Sequence, residues 1–325
     1  MSRMANGASR GRDGWMQRAD AIIILIEGKP ADRDGVSASV VATAAGKWLT
    51  FLDFLTQRFP AVSHDQWLAR INGGEVVDQH GVRIDSDTRY RPDSKLFYYR
   101  FVADEPRIPF EETVLFQDDL IVVADKPHFL PVTPTGRYVQ ETLLVRLKRK
   151  LGIDTLAPMH RIDRETAGLV LFTIQPQTRD AYQKLFRERR VEKTYEAIAP
   201  WRAELTTPTI YRSRLIESQA FMQMRAVAGD ATALTAIEID AIRGSLARYI
   251  LRPLTGQKHQ LRAHMAALGA PILHDRIYPE LRASDSAHPD YSQPLQLLAK
   301  SIAFIDPITK QPRYFESART LSGWP

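Results

Sequence analysis

The chain has 325 residues, 44% of them hydrophobic, with 44 Lys plus Arg against 38 Asp plus Glu and a formal charge of +6 at pH 7. That length predicts about two domains with ample core, and the positive balance favours a polyanionic partner. The absence of cysteine excludes disulfides, thiolate nucleophiles and Cys-based zinc sites and points to a cytoplasmic location; no apolar run approaches the ~20 residues of a membrane helix, so no membrane partner is expected.

Residues 1–35, rich in Gly, Arg, Ser and Asp, read as a disordered tail with one short apolar patch, AIIILI at 21–26. Residues 36–103 read as a small α+β domain. Leu49, Leu52, Phe54, Leu55 and Phe59 follow a helical period, and Trp67, Leu68 and Ile71 suggest a second short helix stopped by Gly73-Gly74. Strands are expected at 75–77, 82–84 and 95–101. Two helices, a small sheet and scattered Arg58, Arg70, Arg83, Arg89 and Arg91 resemble an S4-type RNA-binding domain; a plain α+β cap with solvated charges is the other reading. Asp104-Glu105-Pro106 and Pro109 look like a linker, and 104–325 reads as one larger domain. Within it, 114–124 suits two strands, and Leu143, Leu144, Leu147 and Leu151 share a helical face that ends at Gly152. Residues 169–173 read as a buried strand, and Pro176 opens a helix to about Phe186. Further strands are expected at 194–199, 221–227, 234–241 and 247–251, then a helix over 257–268 with Leu261, Met265 and Leu268 inward and Gly269 beyond it. Many strands and few helices predict an α+β fold with a large mixed, mainly antiparallel sheet and flanking helices.

Three islands could carry chemistry. In HRIDRETAG, 160–168, Asp163 stands between Arg161 and Arg164, followed by the apolar run LVLF. A carboxylate between cations stays ionised, as a nucleophile or base must, and the cations suit RNA. In VEKTYEA, 191–197, Lys193 and Tyr195 would share one face of a strand. TGQKHQLRAHMAALGAPILHD, 255–275, begins as a turn and runs into a helix whose first amides can meet a phosphate, with His259 and Arg262 on adjacent positions of one face. Each island has a plainer reading: an ion-paired loop aspartate, a half-buried strand tyrosine, an arginine covering its helix. Zinc is not expected, because His259 and His264 lack the spacing of a shared helical face. TGQK is not a phosphate loop, since Leu251 and Gln257 occupy the required Gly and Lys positions.

Together and in this order, the islands resemble the RluA-type pseudouridine synthase family over roughly residues 110–318. VLFQDDLIVVADKPHFLPV (114–132) is similar to the family's first motif with its Lys-Pro turn. HRIDRETAGLVLF is similar to the HRLDRxTSGLLL motif, VEKTYEA to the KxY motif, and the third island to TGRxHQIRxHxxxxGxPIxGD. LQLLAKSIAFIDPITKQ (295–311) is similar to the last core strand and turn. Departures are Ile162 for Leu, Ala167 for Ser, Gln257 for Arg, His274 for Gly and Leu298 for His. The resemblance implies a sheet with a central basic cleft, preceded here by the S4-like domain. It also implies isomerisation of uridines in RNA, ribosomal large-subunit RNA favoured over tRNA, by a monomer that uses neither metal nor organic cofactor. Asp163, Tyr195 and Arg262 would be catalytic: Asp163 the nucleophile toward ribose C1′ or uracil C6 of a flipped-out nucleotide, Tyr195 stacking on the base, Arg262 paired with Asp163. Arg161 would be the wedge in the vacated stack, and Arg164, His160, Lys193, Lys258 and His259 would bind RNA. Lys148, Arg149, Lys150, Lys184, Arg187, Arg189, Arg190 and Lys258 are candidates for phosphate contacts, about half of them simply solvated. Two competing readings remain: an inactive RNA-binding protein, and a hydrolase pairing Asp163 with a second carboxylate, for which Glu165 is nearest in sequence.

Overall fold

The computed structural model describes residues 29–100, 102, 104–205, 207–218, 223–282 and 290–324. The chain divides into a smaller unit, described chiefly over Ala38–Tyr99, and a larger one, Asp32–Ser37 with Arg100–Pro325.

The smaller unit comprises β1 (Ser39–Ala42), α1 (Phe51–Arg58), α2 (His64–Asn72), β2 (Val76–Asp78) and β3 (Lys95–Tyr98). Its antiparallel sheet has the order β1-β3-β2. Both helices start on capping boxes, Thr50 with Asp53 and Ser63 with Gln66, which satisfy the free amides of the first turn. Phe51, Phe54, Leu55, Trp67, Ile71, Val76 and Leu96 form the core. Leu49 falls outside the helix and is 81% exposed, because Thr50 is the residue that caps α1. The expected strand at 82–84 is a turn with a single bridge between Val77 and Arg83, and β1 was not expected from the sequence. The left-handed residue after α2 is Gly74, φ +67°, rather than Gly73.

The larger unit runs β4 (Thr113–Gln117), β5 (Ile121–Lys126), α3 (Leu143–Leu151), β6 (Ala157–Pro158), β7 (Ala167–Thr173), α4 (Arg179–Arg187), β8 (Glu192–Pro200), β9 (Thr209–Glu217), β10 (Met224–Val227), β11 (Ala233–Arg243), β12 (Leu246–Pro253), α5 (Gln260–Ala267), β13 (Leu297–Ile305) and β14 (Pro312–Glu316). Its 11-stranded sheet has the order β10-β9-β11-β12-β8-β13-β7-β5-β4, with β14 beside β13 and β6 beside β7. Thus the mixed, mainly antiparallel sheet expected of the chain is present. β7 is buried at every position because alternate residues meet different helices: Val170 and Phe172 join Leu143 and Leu147 of α3, while Leu169 and Leu171 join Tyr182 and Leu185 of α4. On the other half of the sheet, Leu261 and Met265 of α5 cover Ala197, Ile237, Tyr249 and Leu251.

The two halves meet where β13 pairs with β7 in parallel, through only Leu298 with Ala167 and Ala299 with Gly168. On its other side β13 pairs antiparallel with β8. Gly168, φ +108°, lies so close to Ala299 that an added Cβ would sit 2.3 Å from the Ala299 carbonyl oxygen. The loop before β7 and the first residues of β8 therefore converge over this junction.

Several expectations for exposed or loose segments change. Residues 1–28 of the expected tail, and 221–222 of an expected strand, lie outside the described residues. Asp32 belongs to the larger unit, where its carboxylate pairs with a buried Lys148 ammonium; Asp34 pairs with Arg149 at 3.4 Å. Lys148 therefore has no free charge for a phosphate. The expected linker is bound down as well: the Glu105 carboxylate accepts the amides of Val139, Gln140 and Glu141 at 2.8, 2.9 and 2.6 Å.

Candidate active site

The loop between β6 and β7 carries Asp163, and its backbone is held from below. The Lys126 ammonium, fully buried at the end of β5, donates to the carbonyls of Pro127 (3.0 Å) and Arg164 (3.1 Å). The Glu165 carbonyl is bonded to His128 Nδ1 at 2.7 Å. Buried carbonyls require such partners, and here those partners define the path of the loop. Burial pushes the Lys126 amine down to about 7, against the pull of Glu165 and Asp163.

Arg262, 1% exposed, is the hub. Its Nε and Nη2 donate to Asp275 at 2.8 and 2.7 Å, a bidentate pair, and its Nη1 donates to Asp163 Oδ2 at 3.1 Å. Asp275, whose side chain is fully buried, also accepts the amides of Ile277 and Tyr278 at 2.8 and 3.0 Å. Burial opposes the Arg262 charge, but Asp275 and then Asp163 and Glu165 outweigh it and hold the pKa above its ordinary value. A planar fork satisfies two carboxylates in one plane, which an ammonium cannot do.

Tyr195 of β8 is half-buried and packs on the α5 side of the sheet. Burial, with Asp163 nearby, raises its phenol well above the usual range and keeps it protonated. Lys193, two residues earlier, lines the same cleft and makes no ion pair among the described residues; burial lowers its pKa. Together these groups border a cleft of about 740 Å³, a size that suits one nucleotide.

Of the nine residues expected at the site, Asp163, Tyr195, Arg262, Arg161, Lys193, His160 and His259 line this cleft, whereas Arg164 and Lys258 do not. Arg164 turns to Glu165 (2.8 Å) and lies over the Tyr138 ring at 5.6 Å. Lys258 pairs with Glu217 at 3.3 Å. The His160 ring stacks on Phe186, and its Nε2 accepts the Leu171 amide at 3.2 Å. Burial and Lys193 push its pKa down to about 3, so it presents no charge to a phosphate. His259 is not on the helix face with Arg262; it is the residue before α5, at φ +52°. The helix starts at Gln260 rather than at the expected 257, because Gln260 closes the preceding turn, accepting the Thr255 hydroxyl at 2.7 Å and the Gln257 amide at 3.1 Å. His264 is buried between Ser213 (2.9 Å) and Thr235 (3.0 Å).

Arg161 is exposed at the cleft and has no ion pair or hydrogen bond among the described residues. Arg189 likewise lines the cleft without an ion pair among those residues, whereas Lys150, Lys184, Arg187 and Arg190 are each paired with a carboxylate. Glu165 does not line the cleft; burial would raise its carboxyl, but Arg164 and Arg262 hold it below the ordinary range. A glycosidase-like partner acid requires the opposite shift. Sequence reasoning missed Lys126, Asp275 and Tyr278 as parts of the site. Lys126 and Asp275 fell inside quoted motifs, and the signal available was an ionisable residue at the end of an apolar run, IVVA before Asp125-Lys126 and PIL before His274-Asp275.

Residues 120–267 match the family model described as RNA pseudouridylate synthase. The dual-specificity RNA pseudouridine synthase RluA of Pasteurella multocida is 31% identical over 217 residues, covering 63% of this chain and 92% of that protein. An uncharacterized RNA pseudouridine synthase of Synechocystis is 30% identical over 244 residues, covering 70% and 78%. The tRNA pseudouridine synthase C of Vibrio cholerae is 30% identical over 214 residues, covering 61% and 87%. In fold, human RNA pseudouridylate synthase domain containing 1 superimposes with a TM-score of 0.54 at 19% identity, over 66% of this chain and 86% of that one. Two departures from the family pattern, Ala167 and Leu298, are register partners in the β7–β13 pair and share one apolar cluster. His274, where the pattern has glycine, takes φ +63°.

Proposed function

Since the chain belongs to the RluA-type RNA pseudouridine synthase family, we propose that Asp163 is the nucleophile with which it isomerises uridine. The observation that carries this reading is the Asp163 carboxylate held by Arg262 at the cleft bordered by Tyr195. The nucleotide is extruded from its stack into the cleft, and Arg161, a planar cation without another partner among the described residues, fills the gap it leaves. Asp163 attacks ribose C1′ or uracil C6 and the N1–C1′ bond breaks; the uracil turns, C5 bonds to C1′, and the bond to Asp163 breaks, which returns the carboxylate. The C5 proton leaves as N1 gains one, so atoms balance without oxidant or added group. Tyr195, neutral at physiological pH, stacks on the base and offers its hydroxyl to that proton movement. Arg262 keeps Asp163 oriented throughout.

The RNA is ribosomal large-subunit RNA or tRNA. The Vibrio cholerae relative is named for tRNA and the Pasteurella multocida one for dual specificity, so both substrates belong in the test. The smaller unit anchors RNA as an S4-like domain, with Arg58 and Arg89, both exposed, toward phosphates. The experiment is pseudouridine mapping of both RNA classes in cells that lack this chain and carry back either wild type or Asp163→Ala. One set of sites should return with wild type only. Equal modification by both proteins would refute the nucleophile, and no wild-type site in either class would refute the substrate reading.

A further inference from the structure

The second oxygen of Asp163 is addressed by a chain of groups that the pairing with Arg262 does not use. His259 Nε2 lies 3.9 Å from Asp163 Oδ1, and its Nδ1 lies 3.4 Å from the Tyr278 hydroxyl. That hydroxyl already accepts the buried Met224 amide at 2.7 Å. The Tyr278 ring is 6% exposed, stands edge-on to the His259 ring and lies under the Arg262 guanidinium at 5.6 Å. Its backbone amide is tied to Asp275, so one loop locates both arms that reach Asp163.

A hydroxyl that has accepted one hydrogen bond still has its proton to give, and the acceptor available to Tyr278 among the described residues is His259 Nδ1. The ring must then carry its proton on Nε2, because the tautomer is set by the bond at the other nitrogen. The alternative tautomer would leave a buried O–H without an acceptor, which is costly, and would aim a lone pair at a carboxylate. We propose that Tyr278 is a positioning residue: its hydroxyl fixes His259 as the Nε2–H tautomer, so that this N–H addresses Asp163 Oδ1 while Arg262 holds Oδ2. At 3.9 Å the contact is longer than a hydrogen bond; such contacts tighten when substrate closes the site. Burial keeps the ring neutral against the pull of Asp163 and Glu165, with Arg262 and Lys258 acting in the same sense as burial.

The inference rests on the pseudouridine synthase reading for its kinetic consequence but not for its spectroscopic one. Nitrogen NMR of the full chain, with His259 assigned by comparison with His259→Ala, should show the neutral Nε2–H form at pH 7. In Tyr278→Phe, which keeps the ring under Arg262, the signal should become a mixture of tautomers. Turnover of this variant should fall about tenfold, the scale of one lost hydrogen bond, with KM for RNA changed less than about twofold. A protonated or Nδ1–H His259 in wild type would overturn the proposal, as would unchanged turnover in Tyr278→Phe or a loss confined to KM. If wild type made no pseudouridine, the family-based function would fail while the tautomer measurement still decided this point.

Discussion

Replacing Arg262 separates its two roles. Arg262→Leu leaves Asp275, fully buried, without its bidentate partner and Asp163 without its 3.1 Å donor. Breaking a buried pair by removing one member costs about 3–5 kcal/mol, a large part of the roughly 5–15 kcal/mol that holds a domain together. The lost charge-assisted bond to Asp163, about 1.5–3 kcal/mol, corresponds to roughly ten- to hundredfold in turnover. Adding Asp275→Asn removes the orphaned charge while leaving an amide oxygen for the Ile277 and Tyr278 amides. In urea unfolding monitored by fluorescence, Arg262→Leu should therefore lose several kcal/mol, and Arg262→Leu/Asp275→Asn should regain at least half of it. Pseudouridine formation should stay depressed in both. An Arg262→Leu protein as stable as wild type, or a double variant that regains activity with its stability, would refute the division of labour.

Gly168→Ala should cost about 4 kcal/mol or more and yield little soluble protein, since its Cβ would meet the Ala299 backbone at 2.3 Å and its φ is +108°; a thermal midpoint within a few degrees of wild type would contradict this. Acid stability should fall steeply below about pH 6.5. Burial pushes His128 down to about 4, His160 to about 3 (with Lys193) and His264 to about 4. The unfolded chain thus takes up protons that the folded one refuses: the contribution of these three histidines is complete above about pH 6.5 and is lost as pH drops toward 4 and 3. Unfolding midpoints flat from pH 7 to 5 would count against these three assignments. Arg161→Ala should lower turnover on structured RNA much more than on a short single strand, where there is no stack to refill; equal losses would sink the wedge. Arg58→Glu with Arg89→Glu should raise KM for RNA severalfold and flatten its salt dependence, and an unchanged KM would remove the smaller unit from RNA binding.

The strands and helices that face two apolar layers were legible because pattern and burial coincide, as in β7 and α3. The Asp163 loop, Tyr195 and Arg262 were legible as a constellation for another reason: their motifs stand in the order and with the residues of the family they resemble, whereas each island alone had a plainer reading. β9 was missed although Tyr211, Ser213 and Leu215 alternate with Arg212 and Arg214; its inward Ser213 is polar, bonded to a histidine 51 residues away. Lys148 read as a candidate phosphate contact or a solvated helix charge because its partner, Asp32, is 116 residues distant. Nor could the spacing of His259 and Arg262 reveal where α5 starts, since a side-chain bond from Thr255 to Gln260 decides it. Long-range pairing of polar groups, not local propensity, is what escaped.

The apolar contact between Ala167 and Leu298 limits what either position can accept. Each faces the other in a dry strand pair, so restoring serine alone would strand a hydroxyl against leucine, and restoring histidine alone would force an imidazole against alanine. The two positions are therefore coupled, and making both substitutions together should cost less stability than the sum of the two made singly.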